Sequence, residues 1–239
     1  MTVTHMNMND LPLVDDELEL LAALVPLAGC ELIELGCGDA RLARALLDRE
    51  PAARVAALEV DRRQHEKNLA APQGERLRFV LAGAESIPFA DASFDGALML
   101  KSLHHVPAGS LDRALAEVAR VLRPQGWLYV SEPVYAGPFN ELLRRFHDEG
   151  AARAAAQAAL DRALADGRFR PLAERRFATP VTFAGFDDFE ARLMRPTYAE
   201  HRIDDAKLAE VRAAYAEHAD AAGAARFVRP MHLRLFERG

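Results

Sequence analysis

Cysteine is nearly missing from this chain, with only Cys30 and Cys37 among 239 residues. They stand at the two ends of a short apolar stretch that reads as a strand. Extended chain holds them too far apart to be bridged, so no disulfide, redox pair or metal site is expected of them. Lysine is as scarce, present only at Lys67, Lys101 and Lys207, and no block of like charge stands out in a chain of formal net charge -6. With no broad cationic face to neutralise a phosphate backbone, nucleic acid is not expected as a partner. The opening residues lack a basic region followed by an apolar run, and no apolar run reaches the roughly 20 residues that a bilayer requires. The expectation is a cytoplasmic protein without membrane association. The G-x-x-x-x-G-K-[ST] loop of ATP-binding proteins, the H-E-x-x-H helix and clustered cysteines are absent too, which argues against ATP and against zinc.

What the chain does have is apolar residues, 50% of the total, arranged in alternating periods. Helical spacing covers Asp15 to Leu24. Then come strand Glu31 to Leu35, helix Ala40 to Arg49, strand Arg54 to Val60, helix Arg62 to Leu69 and strand Arg76 to Leu81. Strand Phe94 to Leu100, helix Ser110 to Leu122 and strand Gly126 to Glu132 continue the series. Strands separated by helices of this length imply parallel, right-handed βαβ units with a ligand crevice at the carboxyl ends of the strands. Beyond Glu132 an alanine-rich helical region is interrupted at Gly150. It is followed by a strand-like "RRFATPVTF", helical "DDFEARLM" and "DAKLAEVRAAYAEHADAA", and an alternating "MHLRLFE". The expected fold is α/β, Rossmann-like and doubly wound, with a mostly parallel seven-stranded sheet and a helical insertion in the C-terminal half. We expect one domain over 1–239: an N-terminal helix in 1–29, a ligand-binding core in 30–133, a helical substrate cover with a sixth strand in 134–225, and a final strand in 226–239.

The first strand ends in "ELGCGDARLARAL". A dinucleotide turn reads G-x-G-x-x-G; Gly36 and Gly38 are present, but the third position is Arg41. Asp39 falls where a helix N-cap belongs, so its carboxylate would take up free amides of the first helical turn and repel a phosphate. A ligand with an ammonium group and a ribose, but no phosphate, suits this turn better. Glu59, about twenty residues further on at a strand end, can accept both ribose hydroxyls.

Four segments, "ELGCGDARLARAL", "LEVD", "AGAESIPFADASFDGALMLKSLHHV" and "EVARVLRPQGWLYVSEP", resemble in order and spacing the motifs of class I S-adenosylmethionine-dependent methyltransferases. The likeness is to the small-molecule branch related to the ubiquinone and menaquinone C-methyltransferases, and it covers Leu32 to Pro133. It implies S-adenosyl-L-methionine as cofactor and a small organic molecule as methyl acceptor. Glu34 and the Gly36-Cys37-Gly38 turn would cradle the methionine end, and Glu59 would bind the ribose with Val60 beside the adenine. Gly83, Ala84 and Glu85 would face the adenine edge, and Lys101 and Ser102 would border the methionine. Relatives often carry an aspartate at the position of Gly83, so its hydrogen bond to the adenine amino group would have to come from Glu85 or be lost. Asp95, at the start of its strand, reads as structural.

For an acceptor that must lose a proton, a general base accelerates transfer. The candidates for catalysis are His104 and His105 after the fourth strand and Glu132 at the end of the fifth. Tyr135 and His147 lie in the cover and His232 on the final strand, where packing is the simpler reading. Phe139, Leu142, Leu143, Phe146, Phe183, Phe186, Phe189 and Tyr198 either close an apolar pocket over the acceptor or pack helices together. Two alternatives stand beside the enzyme reading: a non-catalytic module that binds the cofactor or regulates, and, opposed by Arg41 and Asp39, an NAD-dependent oxidoreductase.

Overall fold

The computed structural model describes residues 10–72, 74–195 and 203–239. Its sheet has seven strands: β1 (Glu31–Leu35), β2 (Arg54–Glu59), β3 (Leu77–Leu81), β4 (Phe94–Leu100), β5 (Leu122–Pro133), β6 (Phe169–Phe183) and β7 (Ala225–Arg238). Their order is β3-β2-β1-β4-β5-β7-β6. Pairs β1–β2, β2–β3, β1–β4 and β4–β5 are all parallel. The chain winds outward from β1 to β3, returns, and winds the other way from β4. The topological switch therefore lies between β1 and β4, where a doubly wound sheet opens its crevice. The helices are α1 (Glu17–Leu24), α2 (Arg41–Arg49), α3 (Arg62–Ala70), α4 (Leu111–Val121), α5 (Pro138–Leu143), α6 (Gly150–Ala165), α7 (Phe186–Phe189) and α8 (Asp205–Ala216).

Contacts divide the chain into two compact units. The larger comprises Asp16–Glu132, Ala151–Arg175 and Leu233–Gly239, so every strand contributes to it. Its core joins Ile33, Leu35, Leu58, Met99, Leu128 and Val130 of the sheet to α4 and α6. On α4 the buried residues Leu111, Ala114, Leu115, Val118 and Val121 recur at helical spacing. Each fully buried aliphatic side chain contributes about 1.5–3 kcal/mol. Asp95 fastens the amino ends of the strands, accepting the Glu31 amide at 2.8 Å and pairing with Arg123, which is a structural role.

The smaller unit contains the described residues of Met1–Asp15, Pro133–Gly150 and Arg176–His232. Phe139, Leu142, Phe183, Phe186, Phe189, Tyr215 and Phe227 form its core. Phe183 meets Phe189 edge-on at 5.1 Å, and Arg192 and Arg212 lie over the rings of Phe183 and Phe186 at 4.7 and 4.0 Å. Of the two readings of the aromatic positions, packing is the one that holds for these residues, with Leu143 and Phe146 half-buried against the same core. Tyr198 lies outside the described residues.

Several boundaries differ from expectation. Gly150 begins α6 instead of merely interrupting a helix. β6 starts at Phe169, ahead of Pro171; as the outermost strand it tolerates a proline that a central strand would not. The stretch expected as one cover is shared out, with Ala151–Arg175 belonging to the larger unit.

Candidate cofactor and active site

The turn after β1 is held by its own backbone. The amides of Gly36 and Cys37 both donate to the Leu58 carbonyl at 2.9 Å, and the Gly38 amide donates to Glu59 Oε2 at 2.8 Å. A phosphate-binding turn needs its amides directed at the ligand. Here all three already have acceptors, so what the turn offers a ligand is electron-rich. Gly36 and Gly38 take left-handed φ of +74° and +55°. At Gly36 there is no room either, because a Cβ would sit 2.7 Å from Ser102 Cβ. Asp39 accepts the Arg41 amide at 3.2 Å as its position suggested, although the cap residue itself is Ala40, in a left-handed conformation.

Glu34, one position before the end of β1, is buried, and its Oε2 has no hydrogen-bond partner. Burial, reinforced by the charges of Asp39 and Glu59, pushes its carboxyl from 4.5 up to about 8, against the pull of the Ala43 amide and of Lys101. A buried carboxyl oxygen without a donor is a place where a cationic donor can bind. Glu59 ends β2 with both oxygens aimed: Oε1 accepts the Val60 and Asp61 amides at 2.8 Å and Oε2 the Gly38 amide. Three of its roughly four lone-pair sites are thus taken, and the one that remains, on Oε2, can accept from a ligand hydroxyl. Next to it, Val60 is 66% exposed, an apolar surface suited to one face of a flat ring.

The loop after β3 adjoins this corner, since Leu81 pairs with Glu59 and the Ala82 amide donates to the Glu59 carbonyl at 3.2 Å. Ala84 is buried in the core of the unit, and Glu85 folds back over Gly83. Its Oε1 lies 2.5 Å from where a Cβ on residue 83 would stand. The carboxylate of Glu85 thus occupies the space that a side chain at 83 would fill.

Of the remaining expected residues, Cys37 turns its thiol inward, where burial raises its pKa, so the side chain is packing. Ser102 donates to the Leu35 carbonyl at 2.7 Å and closes the floor under Gly36. Lys101, at φ +56°, reaches Glu17 on α1 at 3.4 Å, and Tyr129 donates to the same carboxylate at 3.3 Å. His104 is buried with Nδ1 in contact with Glu132 Oε2, while Glu132 Oε1 accepts the Leu103 amide at 2.9 Å. This contact and the Leu103 amide fix the carboxylate against the imidazole ring. His105 is exposed, its ring 4.1 Å from that of His104. In the smaller unit Tyr135 donates to Asp148 at 2.9 Å, and His147 contacts Glu149 at 3.0 Å.

Sequence reasoning missed Glu17 and Asn68. Asn68 is 3% exposed, and its Nδ2 donates to the Gly38 carbonyl at 2.7 Å. A signal was present: α3 has no apolar stripe, and it buries His65 and Asn68, three apart, while Leu69 is 48% exposed.

A doubly wound sheet of this strand order, with the carboxylates of Glu34 and Glu59 at the carboxyl ends of its strands, has the architecture of a Rossmann-like protein. Residues 33–130 match the family described as a methyltransferase domain. Over 119 residues the chain is 35% identical to the methyltransferase GfsG of Streptomyces halstedii, covering 48% of this chain and 42% of that protein. It is 34% identical to the O-methyltransferase resE of Aspergillus sclerotiorum, covering 54% and 50%. It is 35% identical to the ubiquinone/menaquinone biosynthesis C-methyltransferase UbiE of Paracoccus denitrificans, covering 46% and 44%. The chain spans about half the length of the curated relatives it matches. Among solved structures, a methyltransferase-like protein of Bacillus halodurans superposes with a TM-score of 0.64 at 18% identity, covering 93% and 98%. The [4+2]-cyclase SpnF superposes at 0.59 with 20% identity, covering 92% and 78%, so this likeness shows the fold alone. Over residues 33–130 the chain is thus similar to methyltransferase domains. The donor set fits S-adenosylmethionine, offering a buried carboxyl oxygen without a partner for an ammonium and an oriented carboxylate for a ribose hydroxyl.

Proposed function

We propose that the protein transfers a methyl group from S-adenosylmethionine to a small organic acceptor bearing a hydroxyl. The observation that carries this reading is the pairing of three internally bonded turn amides with the unpartnered Oε2 of Glu34. Bound S-adenosylmethionine supplies a methyl carbon already activated by its positively charged sulfur. Glu34 takes the ammonium, with Gly36, Cys37 and Gly38 lending their backbone contour, while Lys101 and Ser102 border the same end. Glu59 takes a ribose hydroxyl, Val60 lies along the adenine, and Ala84 and Glu85 meet its edge. With reactants held about 3 Å apart and water excluded, orientation alone lowers the barrier by several kcal/mol.

Glu132 fixes His104 so that Nε2 removes the acceptor's proton, a contribution of about 10²-fold to 10⁴-fold. His105, its ring tilted by 40° against that of His104, borders the acceptor. The relatives include both an O-methyltransferase and a C-methyltransferase, so the hydroxyl rests on the imidazole–carboxylate pair, which suits an acceptor that loses a proton. The even charge distribution favours a small molecule over nucleic acid, and the two free thiols suit a reducing, cytoplasmic setting. Calorimetric titration with S-adenosylhomocysteine tests the reading: micromolar binding is expected, lost in Glu59→Ala. Absence of binding to the unmutated protein would leave a non-catalytic module as the better account.

A further inference from the structure

α3 is an unusual neighbour for a packed sheet, because the side chains it turns inward are polar. Asn68 is the more deeply buried of its two inward residues, and every polar atom of its amide is used. Gln64 Nε2 donates to Asn68 Oδ1 at 2.9 Å, which leaves Nδ2 facing the turn, 2.7 Å from the Gly38 carbonyl and 3.8 Å from Cys37 Sγ. Gly38 is thereby held at both ends, its carbonyl by Asn68 and its amide by Glu59 Oε2. Its left-handed φ of +55° is one that a glycine adopts without strain, and these two hydrogen bonds, with that of the Ala40 amide to the Cys37 carbonyl at 2.8 Å, orient the peptide planes on either side of it.

We infer that Asn68 is the positioning residue of the ribose site: by gripping the Gly38 carbonyl it keeps the Gly38 amide on Glu59 and so fixes the orientation in which that carboxylate receives the ribose. This rests on the proposed reading of Glu59 as the ribose acceptor. The relay Gln64–Asn68–Gly38–Glu59 joins α3, the turn and the end of β2. Neither Gln64 nor Asn68 needs to touch the ligand. Removing the Asn68 donor leaves the part-buried Gly38 carbonyl with only the weak Cys37 thiol contact at 3.7 Å, and the peptide less firmly held. Glu59 then keeps only the Val60 and Asp61 amides on Oε1, and Oε2 loses its reference.

The decisive quantity is the preference for a complete ribose. Calorimetry on the whole chain would compare S-adenosylhomocysteine with its 2′-deoxy analogue, in the unmutated protein and in Asn68→Leu, which keeps the volume and removes the donor. The unmutated protein is expected to prefer the complete ribose by about tenfold or more. In Asn68→Leu that preference should fall below about threefold, chiefly because S-adenosylhomocysteine binds about tenfold more weakly. A purely structural role would weaken both ligands alike; an unchanged preference overturns the inference while leaving the cofactor reading intact. No binding of S-adenosylhomocysteine to the unmutated protein overturns both. Should Asn68→Leu fail to fold, exchange of the Gly38 amide decides. Protection in the unmutated protein that drops about tenfold in Gln64→Leu supports the relay, and an unprotected or unaffected amide refutes it.

Discussion

The turn around Gly36 and the aromatic core around Phe183 both concentrate unusual residues, yet they are built on opposite plans. In the core, each ring faces other rings or an arginine, and nothing is left over for a ligand. Around the turn, backbone donors are consumed internally while a carboxylate oxygen is left without a partner. An excess of apolar side chains is an ordinary packing solution, whereas an unmatched polar atom in a buried place is a departure that stability alone does not explain. The proposed cofactor site builds on that contrast.

The sharpest way to break the comparison is to exchange the effects of mutation in the two regions. Phe189→Ala, at a fully buried position, should lower unfolding free energy by about 3–5 kcal/mol in urea titration, with the folded fraction binding S-adenosylhomocysteine as before. A large loss of affinity would mean that the aromatic cluster serves the ligand after all. Glu59→Ala should do the reverse. It should weaken S-adenosylhomocysteine about a hundredfold or more by calorimetry, and cost some stability through the three amides it orients.

The Glu34 carboxyl supplies a third test, with a definite sign. Its folded pKa, about 8, lies above its ordinary 4.5. The stability it contributes is therefore complete below pH 4.5 and is lost as pH rises through 8, by about 1.4 kcal/mol per pH unit in that window. Chemical denaturation of the free protein between pH 5 and 8 should show this decline, and Glu34→Gln should flatten it. The smallest effect is expected at the loop after β3. If Glu85 supplies the contact that Gly83 lacks, Glu85→Gln should weaken S-adenosylhomocysteine by less than about tenfold and narrow its advantage over the 6-oxo purine analogue. An unchanged advantage would remove Glu85 from the adenine edge.

Much of this was legible in the sequence, for reasons that are local. β1 and β4 lie where their apolar runs begin and end, and Glu34, Gly36, Gly38 and Glu59 stand within one βαβ unit. What escaped was set by register and by distant partners. That Leu58 would take two turn amides depends on how β2 aligns with β1. Asn68 meets Gly38 across 30 residues and Glu17 meets Lys101 across 84, beyond the reach of any periodicity. The Phe139, Phe183, Phe189 and Phe227 cluster gathers separate segments, so its spacing could not tell packing from a pocket lining. β6 was shortened in expectation because Pro171 and its charged neighbours hide a strand that only an edge position permits.

The central claim is that this turn receives a cationic amino-acid nucleoside and refuses phosphate. Its most direct test is calorimetry at pH 7 in two buffers of different ionisation enthalpy, titrating S-adenosylhomocysteine and, separately, NAD. The account predicts micromolar binding of the first with release of close to one proton, as the arriving ammonium ionises Glu34, and no heat from the second. Binding of NAD, or binding of S-adenosylhomocysteine with no proton released, would contradict it.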